Sequence, residues 1–180
     1  MRILQAIPRL LIVLALFAIA APSLYRVLTQ SMWTPAAPIT DPGRYRELLA
    51  GFEQKPVAHF PAAIPPGAAT VRMSFEPSFL QAGGHFQLQF TCPPGRLAEI
   101  EKEFAPRALT QPDAANAPAL PEPTDHVGPS AGQPLSRRFR LYVLHAQPQG
   151  GSEFSWNHGT LGGVGLDHVG SNVIYWVEWW

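Results

Sequence analysis

At 180 residues, 46% hydrophobic and 11% aromatic, the chain is long enough for one modest domain and too apolar to be disordered throughout. Acids and bases balance at 13 each, and the densest basic run is Arg137, Arg138 and Arg140, so there is no nucleic-acid footprint. The 20 prolines imply that part of the length is linker or loop, and a single cysteine excludes an internal disulfide.

The chain opens with Arg2 and Arg9 ahead of an uninterrupted apolar run from Leu10 to Ala21. Such a segment either anchors the chain as one transmembrane helix or is a signal peptide cut before Ala21, at Ala18-Ile19-Ala20. Pro22, the interfacial aromatics Tyr25 and Trp33, and the stop at Arg26 favour the anchor. The two N-terminal arginines favour a cytoplasmic start and an exported remainder. The expected organisation is therefore an anchor or signal over residues 1–26, a connector over 27–40, and one α+β domain over 41–180.

Asp41-Pro42-Gly43 opens a helix with a capping acid and a proline in its first turn. Tyr45, Leu48, Leu49 and Phe52 continue it at helical spacing to about Gln54. From His59 to Gly67 the prolines forbid regular structure, and the apolar residues between them are expected to cover a sheet edge. Val71, Met73 and Phe75 then alternate with polar residues, as do Phe86, Leu88, Phe90 and Cys92 after Gly83-Gly84, which predicts two antiparallel strands. Cys92 falls on the apolar face of its strand and reads as a small core residue. Leu97, Ile100 and Phe104 outline a second, amphipathic helix.

Residues 105–135 hold seven of the prolines and seven alanines, with Leu109, Leu120 and Val127 as their main apolar side chains. This predicts a disordered insertion within the domain. Phe139, Leu141 and Val143 alternate into a third strand, and Phe154 to Asn157 is read as a fourth. Gly159 to Gly165 is read as a flexible β connection or a bulge before Val164. Val164 to Val169 and Val173 to Trp180, flanking Gly170-Ser171-Asn172, predict a C-terminal hairpin. Its last strand is apolar on both sides except at Glu178, and so belongs in the middle of the sheet. The expected fold is a small antiparallel sheet of about five strands with two packed helices.

No set of side chains reads as a catalytic, cofactor or metal site. Gly128-Pro129-Ser130-Ala131-Gly132 matches G-x-S-x-G, but a nucleophile elbow needs a strand before the serine and a helix after it, and this stretch has neither. The six histidines, His59, His85, His126, His145, His158 and His168, have no ligand spacing; His145, His158 and His168 share the C-terminal region. The glycine-rich segment lacks the lysine and helix of a phosphate loop. A ligand surface, if one exists, is expected at Trp156, Asn157 and His158, where an indole could stack on a sugar or peptide beside two polar groups.

His59-Phe60-Pro61, Ile64-Pro65, Phe79-Leu80-Gln81 with Gly83-Gly84, and Ile174-Tyr175-Trp176 together resemble a group of uncharacterised bacterial envelope proteins that are exported or membrane-anchored. That group has no assigned activity, so the resemblance implies location and regularity of fold and transfers no functional residue. The resulting expectation is a single-pass inner-membrane protein, or a periplasmic one after cleavage, that binds another envelope protein or a cell-wall component. The alternatives are an extracytoplasmic hydrolase using His158, Asp167 or His168 of the C-terminal region, and an immunity-type protein that caps a toxin.

Overall fold

The structure, a computed structural model, describes residues 37–52, 54–78, 83–109, 120–148 and 159–180, besides Ala21. The chain divides into two units, Met1–Ala36 and Ala37–Trp180, and the second carries the fold. The expected anchor and most of the connector lie outside the described residues. No helix among the described residues is long and apolar enough to cross a membrane.

Five strands form one antiparallel sheet: β1 (Ala69–Glu76), β2 (Gly84–Thr91), β3 (Arg140–Pro148), β4 (Gly159–Asp167) and β5 (Asn172–Trp179), in the spatial order β1-β2-β5-β4-β3. The α+β expectation and the central place of the last strand therefore agree with the architecture. β4 and β5 form the expected hairpin, closing at Asp167 opposite Asn172. The chain crosses from β2 to the far edge at β3 through a helix and a long covering segment.

The helix predicted from Asp41 is broken in two. Asp41 Oδ1 accepts from Gly43 N at 2.8 Å and opens a 3-10 turn, Pro42–Arg44, that leads into α1 (Tyr45–Ala50). Gly51 ends α1, and Phe52 turns back to stack on Phe86 with centroids 5.4 Å apart, before the single turn of α2 (Gln54–Val57). α3 (Pro94–Phe104) buries Leu97, Ile100 and Phe104. These helical pieces share one face of the sheet with Phe86, Leu88, Phe90, Val173, Tyr175, Val177 and Cys92, as the alternation in β2 and β5 requires.

His59 and Phe60 do not cover an edge. Phe60 stacks on Phe86 (5.0 Å), and His59 reaches the middle of the sheet, with Nε2 3.0 Å from Trp176 O. The edge strand β1 is instead met by the connector, where Ile39 exchanges two backbone hydrogen bonds with Phe75.

Two further expectations are corrected. First, the expected disordered insertion is ordered over 105–109 and 120–135; residues 110–119 lie outside the described residues. Ala105–Arg107 continues α3 as a 3-10 turn, and Leu109 N donates to Val143 O. Residues 120–135 lie across the second face of the sheet, where Leu135 is buried with Val143, Leu161, Ile174 and Trp176, and Leu120 and Val127 pack against them. Counting large apolar side chains underestimates this segment, because much of its hold on the sheet is polar and its prolines reduce the entropy lost on ordering.

Second, the glycine-rich segment is not a connection but most of β4. A Cβ on Gly165 would lie 2.8 Å from Ile174 Cγ2 and 3.0 Å from Leu141 Cδ2, and one on Gly162 would lie 3.1 Å from His59 Cε1. The glycines are the space into which neighbouring side chains fit. The strand expected at Phe154 to Asn157 lies outside the described residues. Gly165→Val should destabilise the domain by about 1–3 kcal/mol through overpacking, whereas Gly95→Ala, with open space around its Cβ in the first turn of α3, should be neutral or slightly stabilising. Urea unfolding of the two variants checks both.

Candidate functional site

The polar positions of β1, β2 and β5 meet beneath the segment that crosses the second face. Strand pairing sets Glu76 opposite His85 and His85 opposite Glu178. Ser74 Oγ lies 2.8 Å from His85 Nε2, and His85 Nδ1 is 3.7 Å from Glu76 Oε2. The ring of His126, from the covering segment, stacks on that of His85 with centroids 3.5 Å apart and planes 6° apart. His126 Nε2 is 3.4 Å from Glu178 Oε1, which also accepts from Thr124 N at 2.7 Å.

Gln87, fully buried between these groups, uses both ends of its amide. Its Nε2 donates to Thr124 O at 2.6 Å and its Oε1 accepts from His126 N at 2.8 Å. A side chain thus pairs with backbone as a neighbouring strand would, and residues 124–126 are held in a fixed register over β2 and β5. Beyond them the segment folds back on itself, Thr124 bridging Pro134, with Asp125 N donating to Gln133 O and Leu135 N to Pro123 O. The strap formed by residues 120–135 is a closed loop clamped to the sheet.

Asp125 organises that loop. Its Oδ1 accepts from Val127 N (3.0 Å) and Gly128 N (2.6 Å), and its Oδ2 accepts from Ser130 Oγ (2.9 Å). A Cβ at position 128 would collide with the Asp125 carboxylate, and Gly132 takes the left-handed conformation at φ 84°. The G-x-S-x-G match is therefore a carboxylate-centred turn, with Ser130 donating inward.

Asp167 and His168 do not converge. Asp167, buried at the hairpin, accepts from Val169 N (3.0 Å) and Gly170 N (2.9 Å) and faces Arg138 at 3.2 Å. Burial alone would raise its carboxyl, but the hydrogen bonds from Gly170 and Asn172 and the Arg138 charge hold it below the usual carboxylate range. His168 points elsewhere, with Nε2 3.2 Å from Glu101 Oε2. Glu101 also accepts from the Tyr142 hydroxyl and pairs with Arg140 (3.3 Å), which ties α3 to β3. The expected ligand surface at Trp156, Asn157 and His158 lies outside the described residues. Among the described residues no group of three or more His, Cys, Asp or Glu is placed to hold a metal ion.

Sequence reading missed the Ser74, Glu76, His85, Gln87, His126 and Glu178 cluster. One signal was present: Glu178 is the lone acid in an otherwise apolar strand. Comparison with protein-family models, curated proteins and solved structures finds no significant match for the chain.

Burial governs the histidines. His85 is pushed down to about 3 by burial first and by His126 second, and His59 to about 4 chiefly by burial. Both are neutral in the fold and titrate near 6.5 when unfolded. Stability should therefore be fully present above about pH 6.5 and fall as pH drops toward 4, by roughly 1 kcal/mol per pH unit for each group. His59→Asn should remove its share of that slope in denaturant titrations across this range.

Proposed function

We propose that the chain is a membrane-anchored bacterial envelope protein whose folded unit lies outside the cytoplasm and acts by binding another envelope protein or a cell-wall component, without catalysis. The apolar run from Leu10 to Ala21 behind Arg2 and Arg9 supports the location, and the resemblance to exported envelope proteins belongs to the same reading. A folded unit that starts at Ala37, shortly after that run, fits a domain carried on an anchor.

The observation that carries the binding reading is the sealing of the polar cluster. Ser74 is 2% exposed and His85 5% exposed, and the stacked His126 ring lies over them. These groups join the strap to the sheet, which is what a rigid scaffold for a binding surface needs. The hairpin end offers contact area, since Val169 is 87% exposed beside the exposed His168.

A second reading, an extracytoplasmic hydrolase, has one specific observation in its favour. Ser74 meets His85 on Nε2 while Glu76 lies toward Nδ1, the order of a serine, base and orienting acid. Against it stand the burial of the serine and the depressed basicity of His85, which make a poor base near neutral pH.

Two measurements test these readings. Membrane fractions should retain the full-length chain, and protease added to spheroplasts should degrade residues 37–180; recovery from the soluble cytoplasm at full length would overturn the location. A fluorophosphonate probe should leave Ser74 unmodified in the full-length chain. Time-dependent labelling that disappears in Ser74→Ala would overturn the non-catalytic reading.

A further inference from the structure

The strap carries one of the two stacked imidazoles and the sheet carries the other. His126 comes from the strap and His85 from β2, with ring centroids 3.5 Å apart. The groups facing this pair are Ser74 and Glu76 from β1, Glu178 from β5, and the strap's own Asp125, whose carboxylate is occupied by Val127 N, Gly128 N and Ser130 Oγ. Neutral rings stack without penalty. One proton is accommodated, because a charge on His126 meets Glu178 at 3.4 Å.

A second proton is held less well. Glu76 Oε2 lies 3.7 Å from His85 Nδ1, farther than Glu178 from His126, and its side chain is about one-third exposed, so water screens its charge. Two like charges at stacking distance in a buried layer repel far more strongly than in water. The element able to yield is the strap: it meets β2 and β5 through Gln87, Glu178, the His126 ring and the apolar packing of Leu120, Val127 and Leu135, whereas His85 is fixed within a paired strand.

We propose that residues 120–135 form an acid-released latch, in which double protonation of the His85–His126 stack lifts the strap and uncovers the apolar face formed by Val143, Leu161, Ile174 and Trp176. The device does not depend on where the domain resides, and it adds to the global acid destabilisation through His59, because the helical face holds the rest of the sheet through aromatic packing that has no such stack.

The test is native-state amide exchange on the full-length chain in detergent micelles, between pH 7 and pH 4, with protection factors corrected for the intrinsic pH dependence. The amides of Thr124 and His126, which donate across to Glu178 Oε1 and Gln87 Oε1, should lose at least tenfold more protection than those of Val173 to Val177, whose loss follows global stability alone. His126→Gln should abolish that selective loss. Glu178→Gln, which keeps an acceptor for Thr124 N but removes the counter-charge, should move release to higher pH by about one unit. Equal loss in strap and β5, or an unchanged selective loss in His126→Gln, would overturn the latch. The wild-type measurement decides the first point even if a variant fails to fold.

Discussion

β5 has no solvent side, and the remaining layers follow from that constraint. Val173, Tyr175 and Val177 point to one face and Ile174 and Trp176 to the other, and all five are buried. Each such side chain contributes about 1.5–3 kcal/mol when removed from water, but only if something covers the face it lies on. A strand of this kind in an antiparallel sheet therefore requires two separate covers. One comes from the segments before the sheet together with α3; the other comes from the strap inserted before β3. Without the second, Leu161, Ile174 and Trp176 would form an exposed apolar patch of the kind that drives association.

Polar residues on the strap-covered face determine where the second cover lies. Gln87, His85, Ser74 and Glu178 are buried among apolar neighbours, and each would be costly there without a partner. Thr124 N, Thr124 O and His126 N meet those needs at Glu178 and Gln87. A shift of the strap by one residue would leave these groups unmatched, so the polar cluster specifies register more than it adds stability. Asp125 does the same inside the loop, where one carboxylate takes three donors and fixes the shape that presents residues 124–126 to the sheet.

Periodicity made much of the sheet readable. The alternations from Val71 to Phe75 and from Phe86 to Cys92, the helical spacing of Leu97, Ile100 and Phe104, and the turn at Gly170-Ser171-Asn172 are local patterns, and each corresponds to an element. β4 was not readable in full, because its glycines serve neighbours distant in sequence: His59 at Gly162, and Leu141 with Ile174 at Gly165. The strap was unreadable for a related reason. Its partners are single polar side chains on β2 and β5, and no local period records that Gln87 will pair with residues 124–126. The serine, histidine and acid cluster requires the register of three strands before its members can be seen to meet.

The two covers differ in physical character, so the two faces of the sheet respond differently to their surroundings. The helical side is held by stacked and edge-on rings, Phe52, Phe60 and Phe86 with Tyr175 and Trp179. Apart from the buried His59 ring, whose protonation costs stability in acid, that adhesion is apolar and nearly indifferent to salt. On the strap side apolar packing is combined with a few directional bonds and a pair of titratable rings, which stack while at least one is neutral and repel once both carry a proton. Opening free energies within one domain range from near zero up to that of global unfolding. A cover clamped partly by ionisable contacts belongs nearer the low end than one built on packed rings, and the strap is thus the part of this domain whose position the environment can alter while the sheet beneath keeps its fold.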